Sequence, residues 1–256
     1  MTVSIGIAGI TGRMGRLVVE EVRAAGGTLA GGVRRPGAGE RPGGALEPDI
    51  TALARLCDVV IDFTHASTVA GHAAALAEAG VGWVLGTSGL GAAEETTVAA
   101  TANRIPVIYA ANFSPGVNLM LALSERMGAA LSAAEYDAEI LEMHHRQKVD
   151  APSGTAIGIG RAVAKGRGVM LEAVMQGGRL GEVGVRRTGE IGFAALRGGQ
   201  VVGEHTLLFA GASEHLALMH RAFDRRVYAT GAVNAAFWLA DRPAGLYTMR
   251  DVLGIP

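Results

Sequence analysis

The chain has 256 residues, 49% hydrophobic and 18% charged, with a formal net charge of -1. That is enough for one large domain or two modest ones with their own cores, and too apolar for a disordered chain. Lys and Arg are scattered, so no basic patch suits nucleic acid or an anionic membrane surface, and no apolar run reaches the ~18 residues that cross a bilayer. Cys57 is the only cysteine, which excludes an intrachain disulfide and a thiolate metal cluster. The opening VSIGIAG is strand-like and lacks the charged start of a signal peptide, so the cytoplasm is the expected location.

In chain order, residues 3–8, 29–33, 59–63, 83–85 and 106–110 read as strands, most of them nearly all apolar, as strands covered on both faces must be. Between the first two, Met14, Leu17, Val18, Val22 and Ala25 recur on one helical face. Residues 67–79 and 92–103 fit helices on the same grounds. Strand–helix alternation predicts an α/β fold with a Rossmann-like, doubly wound parallel sheet. Beyond it the pattern changes. A helix is predicted near 117–133 and a strand at 136–143. IGFAALRGGQVVGEHTLLFAG and EHLALMHRAF then read as neighbouring strands joined by Gly-Gly and Gly-Ala turns. Strands without intervening helices predict an antiparallel sheet, hence a second domain of α+β type. An apolar helix returns at 228–239, which divides the chain into residues 1–112 plus 226–256 and residues 113–225.

Glycine is the compositional outlier, with 38 residues, about twice the ~7% average usage. The first strand runs into GITGRMGR, where Gly9, Gly12 and Gly15 are spaced three apart, and then into the first helix. Such a loop presents bare backbone N–H groups and a helix N-terminus to a diphosphate. Thr11 stands where the second glycine of G-x-G-x-x-G would fall, so the motif alone also fits a tight strand–helix turn. Its place at the very start of an α/β half favours the nucleotide. The second strand ends in Val33-Arg34-Arg35, with no acid to bind a ribose 2′-hydroxyl. Two arginines suit the 2′-phosphate of NADPH; the alternative is a solvated turn with two exposed cations.

The densest run of titratable groups is EMHHRQKVDAPSGTA, residues 142–156. Adjacent histidines on a strand point to opposite faces, so only one of His144 and His145 faces a site unless the strand ends there. With no cysteine nearby and no spaced third histidine, no metal is expected. Glu139 and Glu142 read as solvent-facing or hydrogen-bonded, while His65, His72, His205, His215 and His220 are given no catalytic role. Met14 and Trp238 read as packing residues.

This segment closely resembles the signature of the 4-hydroxy-tetrahydrodipicolinate reductase (dihydrodipicolinate reductase) family. The resemblance runs almost the full length: GRMGR at 12–16, DFT at 62–64, GTSG at 86–89, ANFSPGVN around Asn112, IGF at 191–193, VGEHT at 202–206, and the closing GAVNAAFWL and MRDVLG. It implies an NAD(P)H-dependent reduction of 4-hydroxy-tetrahydrodipicolinate to tetrahydrodipicolinate, with loss of water, in diaminopimelate and lysine biosynthesis. It also implies a dinucleotide-binding domain completed by the C-terminal helix, and a substrate-binding and oligomerisation domain whose sheets assemble a homotetramer. By position, the resemblance places Gly9, Ile10, Thr11, Gly12, Arg13 and Met14 around the diphosphate. It places Gly86, Thr87, Ser88, Ala110, Ala111, Asn112 and Phe113 on the nicotinamide side. His144 becomes the general acid, and His145, Lys148, Gly154 and Thr155 hold the substrate. Many relatives carry an acid where Arg34 stands and use NADH well; here NADPH is the expected preference, with NADH as the alternative. Ser88 replaces a threonine common in relatives and keeps its hydroxyl.

The implied substrate is a small dicarboxylate, so its site needs cations and N–H donors. Pro-Ser-Gly-Thr before an apolar helical run predicts a helix N-terminus with Ser153 as cap, suited to one carboxylate. His145 and Lys148 can serve the remaining charge. Hydride addition to a conjugated imine pushes electrons towards nitrogen, so a proton must arrive, and His144 can deliver it near neutral pH. The Lys148 ammonium stabilises the developing charge. Two rivals compete: another two-domain NADP oxidoreductase, such as an aspartate or sugar dehydrogenase, and a non-catalytic NADP-sensing protein. His144, Lys148 and Thr155 standing together argue against both.

Overall fold

A computed structural model describes residues 2–35 and 44–255. The chain divides into two compact units, Met1–Pro115 with Arg225–Pro256, and Gly116–Asp224. In the first, β1 (Ser4–Ala8), β2 (Thr28–Val33), β3 (Val59–Asp62), β4 (Gly82–Leu85) and β5 (Pro106–Tyr109) alternate with α1 (Arg13–Ala24), α2 (Ile50–Ala54), α3 (Val69–Ala79) and α4 (Ala92–Ala102). The strands are largely apolar because alternate side chains enter two different cores. Ile5, Ile7 and Ile61 meet Val18 and Val22 of α1, whereas Ala8, Val60 and Trp83 meet Leu53, Leu76 and Val98. Val18 and Val22 are fully buried, each worth ~1.5–3 kcal/mol of transfer free energy. All pairings are parallel, in the order β5-β4-β3-β1-β2. Ala8 pairs with both Val33 and Asp62, Asp62 with Leu85, and Leu85 with Tyr109, so five C-terminal strand ends lie level along one edge.

The second unit contains most of α5 (Pro115–Ala130), then β6 (Asp137–His144), α6 (Gly154–Gly166), α7 (Leu171–Val174), β7 (Met175–Gly177), β8 (Ile191–Arg197), β9 (Gly203–Ala210) and β10 (His215–Ala222). The sheet is mixed, in the order β10-β9-β6-β8-β7, which corrects the antiparallel expectation. β8 and β9 are not neighbours across a Gly-Gly turn. β6 lies between them, parallel to β8 and antiparallel to β9. The Gly-Gly segment instead crosses the end of β6: Gly198 N–H donates to the His144 carbonyl at 2.9 Å, and His145 N–H to the Val201 carbonyl at 2.8 Å. A long strand that buries Ala138, Ile140, Glu142 and His144 needs partners on both edges, and splitting β8 from β9 supplies them. The Gly-Ala turn does join a hairpin, between antiparallel β9 and β10.

The chain then returns to the first unit through α8 (Arg226–Leu239), where Arg226 pairs with Glu20 at 2.6 Å and Glu21 at 2.8 Å of α1. Gly231 lets this helix approach the Phe113 carbonyl more closely than any side chain would allow. β11 (Gly245–Tyr247) extends the sheet beside β5, and α9 (Met249–Val252) follows. Elements as short as α2, α7, β7, β11 and α9 carry no readable periodicity. Among the described residues, no helix is long and apolar enough to cross a membrane, and no group of three or more His, Cys, Asp or Glu residues is placed to hold a metal ion.

Candidate active site

At the level edge of the first sheet, β1 passes into the glycine loop. Gly9 adopts φ +82, a left-handed conformation that costs glycine least. The N–H groups of Gly9 and Ile10 both donate to the Val33 carbonyl, at 2.9 and 3.1 Å, which brings the end of β2 and its exposed Arg34 and Arg35 to this loop. Ile10 is fully buried and anchors the loop from below, while Met14 packs against the same core. Gly12 caps α1 without a side-chain bond. A Cβ on Gly15 would collide with the Gly9 carbonyl, so loop and helix touch backbone to backbone. The first-turn N–H groups, including those of Arg13 and Met14, have no intrahelical acceptor and open beside Thr11 and Gly12. That cradle fits a diphosphate.

Three further strand ends share the edge. After β3, the buried Asp62 carboxylate is bonded by Thr64 Oγ1 at 2.6 Å, His72 Nδ1 at 2.7 Å and Trp83 Nε1 at 3.3 Å, which fixes that loop and makes His72 structural. After β4 come Gly86, against the Phe63 ring, then Thr87 and the exposed Ser88. Thr87 is only 2% exposed, and its Oγ1 has no hydrogen-bond partner within the chain, which leaves that hydroxyl able to meet a ligand. After β5, Ala110 donates to the Leu85 carbonyl at 3.2 Å and Ala111 is exposed. Asn112 Oδ1 accepts Ser114 N–H at 2.8 Å, and the buried Phe113 ring stands edge-on to Phe63 at 5.7 Å.

In the second unit, β6 ends at His144, and the His145 carbonyl accepts Lys148 N–H at 3.1 Å to open the following turn, so strand alternation no longer dictates the His145 side chain. His144 is buried, and its Nδ1 sits 2.6 Å from Glu142 Oε2. Arg197 of β8 grips the same carboxylate with both terminal nitrogens, at 2.9 and 2.8 Å. Burial pushes the Glu142 carboxyl up, but Arg197, His144 and the Ser153 N–H outweigh it and hold it below the usual range. For His144, burial dominates and lowers the pKa; Glu142 opposes, and Lys148 and Arg197 add to the lowering. The Lys148 ammonium lies 2.9 Å from Asp150 Oδ1.

Ser153 caps α6: its hydroxyl accepts Ala156 N–H at 3.2 Å and meets His205 Nε2 at 3.0 Å, while its own N–H donates to Glu142 Oε1 at 3.1 Å. Ser153 is thus buried and turned inward. Gly154 is exposed, with nothing within 4 Å of where a Cβ would stand, so the open end of α6 lies over Gly154 and Thr155. Burial, with His144 nearby, pushes the His205 imidazole down to about 4, so it is neutral. Its ring lies 5.1 Å from that of His144.

His144, Arg197 and the start of α6 therefore gather around one buried carboxylate, with the Lys148 charge acting on His144. Sequence reasoning treated Glu142 as a solvent-facing or hydrogen-bonded acid and gave neither Arg197 nor His205 a role. For Glu142 a signal existed, since residues two apart on a strand share a face. Arg197 and His205 reach the cluster only through the register of β8 and β9.

A parallel doubly wound sheet with a glycine cradle at its C-terminal edge, joined in one chain to a mixed sheet bearing a buried histidine–carboxylate pair, defines a pyridine-nucleotide-binding reductase of two units. The family model "Dihydrodipicolinate reductase, N-terminus" matches residues 3–113, and "Dihydrodipicolinate reductase, C-terminus" matches residues 116–253. The chain belongs to the dihydrodipicolinate reductase family. It is 62% identical over 256 residues to the 4-hydroxy-tetrahydrodipicolinate reductase of Granulibacter bethesdensis, covering 99% of this chain and 98% of that one. Against the protein of the same name from Gluconacetobacter diazotrophicus it is 60% identical over 253 residues, covering 99% and 98%. The fold is similar to that of a dipicolinate-bound dihydrodipicolinate reductase from Paenisporosarcina sp. TG-14, with TM-score 0.77, 24% identity, and 97% and 98% of the two chains covered.

Proposed function

We infer that this chain reduces 4-hydroxy-tetrahydrodipicolinate to tetrahydrodipicolinate for diaminopimelate and lysine biosynthesis. One NAD(P)H and one proton are consumed, and NAD(P)⁺ and water are released. The observation that carries the reading is the segment 142–156, folded as a buried Glu142–His144 pair beside the N-terminus of α6, in a chain 62% identical to a reductase of that name. The unit built from the N-terminal residues and α8 binds the dinucleotide, and the unit Gly116–Asp224 binds substrate.

The nicotinamide supplies the hydride; everything else is done by side chains and backbone of the chain. Gly9, Ile10, Thr11, Gly12, Arg13 and Met14 hold the diphosphate, chiefly through backbone N–H groups. Gly86, Thr87, Ser88, Ala110, Ala111, Asn112 and Phe113 shape the nicotinamide side, with the unpartnered Thr87 hydroxyl as one polar contact. Arg34 and Arg35 take the 2′-phosphate, making NADPH preferred and NADH the poorer alternative. Gly154 and Thr155 present N–H groups to one carboxylate, Ser153 supports them as cap, and His145 and Lys148 meet the remaining charge. His144 gives the proton, and the Lys148 ammonium offsets charge developing on the ring nitrogen. The open face of the second sheet exposes Leu141, Leu196 and Met219, an apolar surface suited to homotetramer assembly.

The test is NADPH oxidation by the purified protein, followed optically with freshly generated 4-hydroxy-tetrahydrodipicolinate and, separately, with aspartate semialdehyde. Turnover confined to the cyclic substrate is the expected result. Tight NADPH binding without turnover on either would mean a sensing protein instead.

A further inference from the structure

Glu142 is a carboxylate with almost no solvent contact, 1% exposed, yet both oxygens are fully engaged. Oε2 takes His144 Nδ1 at 2.6 Å and Arg197 Nη1 at 2.9 Å; Oε1 takes Arg197 Nη2 at 2.8 Å and the Ser153 N–H at 3.1 Å. Arg197 is itself tied to the Asp150 and Leu196 carbonyls, each at 2.6 Å, so the guanidinium cannot swing away without breaking the loop before α6. An ionised carboxylate accepts only, so the His144 Nδ1 must carry the hydrogen between them. That leaves Nε2 as the one ring nitrogen free to exchange a proton with a ligand. Beside Nε2 stands Gly203, the first residue of β9: a Cβ there would sit 2.9 Å from Nε2 and 3.4 Å from Cδ2. Gly203 has no left-handed φ that would demand glycine, so space is the remaining reason for its bareness.

We propose that Glu142 is the positioning residue of the proton donor: it holds the His144 Nδ1–H, dedicates Nε2 to the substrate, and through the Ser153 N–H locks the ring to the carboxylate-binding end of α6, while Gly203 keeps the approach to Nε2 clear. This rests on His144 being the general acid. The groups facing His144 come from every neighbouring element: Glu142 on β6, Lys148 paired with Asp150 in the following loop, Arg197 on β8, and His205 on β9 with His220 behind it on β10. The Glu142 carboxylate, hydrogen-bonded to the ring, favours the imidazolium; burial, Lys148 and Arg197 oppose it. Removing that one charge therefore lowers the proton affinity of His144. Activity that needs protonated His144 falls as pH rises through its pKa, so the falling limb moves to lower pH.

The experiment is a titration of the His144 ring nitrogens by NMR in the unmodified protein, Glu142→Gln and Glu142→Asp, beside pH profiles of kcat. The expected unmodified neutral ring carries its hydrogen on Nδ1. In Glu142→Gln both the titration midpoint and the falling limb of kcat move down by about one pH unit or more, a tenfold loss of the protonated fraction. Glu142→Asp, which keeps the charge, recovers part of that shift. Gly203→Ala, which alters no charge, lowers kcat by about tenfold or more while KM changes by less than about threefold. A neutral ring protonated on Nε2, or a folded Glu142→Gln whose midpoint and limb do not move, overturns the proposal even if Glu142→Asp fails to fold. Unchanged kcat in Gly203→Ala overturns the part assigned to Gly203. Failure of the acid assignment is read separately, as near-normal kcat in His144→Gln, because the tautomer and midpoint report on Glu142 whichever group gives the proton.

Discussion

Two segments of this chain share a design, strand to loop to helix N-terminus, and use it in opposite ways. The passage from β1 to α1 is made of backbone: Gly9 turns it, Gly12 caps it without a side chain, and Gly15 removes the last obstacle between helix and loop. The passage from β6 to α6 is made of side chains: Ser153 caps it, Glu142 sits beneath it, and His144, Lys148, Arg197 and His205 surround it. The difference fits the ligands proposed for the two segments. A diphosphate keeps its charge throughout, so fixed N–H dipoles suffice and nothing in the loop needs to titrate. A ring that gains hydride must also gain a proton, so the second segment needs groups whose charge can change, placed where burial tunes them. Sensitivity to pH should therefore belong to the second segment alone.

The largest expected effect tests that division directly. In His144→Gln, kcat is expected to fall ~100-fold to ~10,000-fold with a modest change in KM, while NADPH affinity by fluorescence titration stays near that of the unmodified protein. A comparable loss of NADPH binding would mean that the two segments do not divide the work.

Next comes acid stability. His205 binds its proton less tightly folded than unfolded, so between about 6.5 and about 4 the unfolded chain holds more protons and stability falls as the pH falls. Across that window the loss approaches about 3 kcal/mol. Thermal melts against pH should steepen there, and His205→Gln should flatten the curve; a variant as acid-sensitive as the original would assign the loss to another buried group.

Gly15→Ala probes the backbone segment. Its Cβ has no room beside the Gly9 carbonyl, and such overpacking costs ~1–3 kcal/mol. The expected result is weaker NADPH binding and a lower melting point, with kcat at saturating cofactor little changed and no shift in the pH profile. The smallest effect belongs to Arg34→Glu: loss or reversal of a roughly tenfold preference for NADPH over NADH, about 1.4 kcal/mol, seen in kcat/KM for the two cofactors. Equal constants for both cofactors in the unmodified protein would show that Arg34 and Arg35 merely face solvent.

How much of this was legible beforehand depends on whether the signal was local. The apolar runs of β1, β3, β4 and β5, the buried stripe of α1, the glycine loop and the Ser153 cap all rest on residues within a turn or a strand of one another, so periodicity and spacing reveal them. The run from His144 to Thr155 is likewise contiguous, which is why it stands out in the chain as a concentration of titratable groups before a helix start. Gly198 and Gly199, by contrast, announce a bend without saying what the chain bends around. The insertion of β6 between β8 and β9 depends on pairing along both edges of a central strand, and no single segment encodes that sum. The cluster at Glu142 is its direct consequence. Arg197 stands 55 positions and His205 more than 60 positions from Glu142 in the chain, and only the strand register sets them against it. Their charge states were equally beyond local reading, because the neutrality of His205 and the ionisation of Glu142 are set by burial and by neighbours from three strands. The sequence by itself therefore determined the class of fold, the glycine loop and the residue types of the candidate site, through short-range geometry. The tertiary structure alone decided strand order and which buried charge answers which, because packing and electrostatics act between positions the chain keeps far apart.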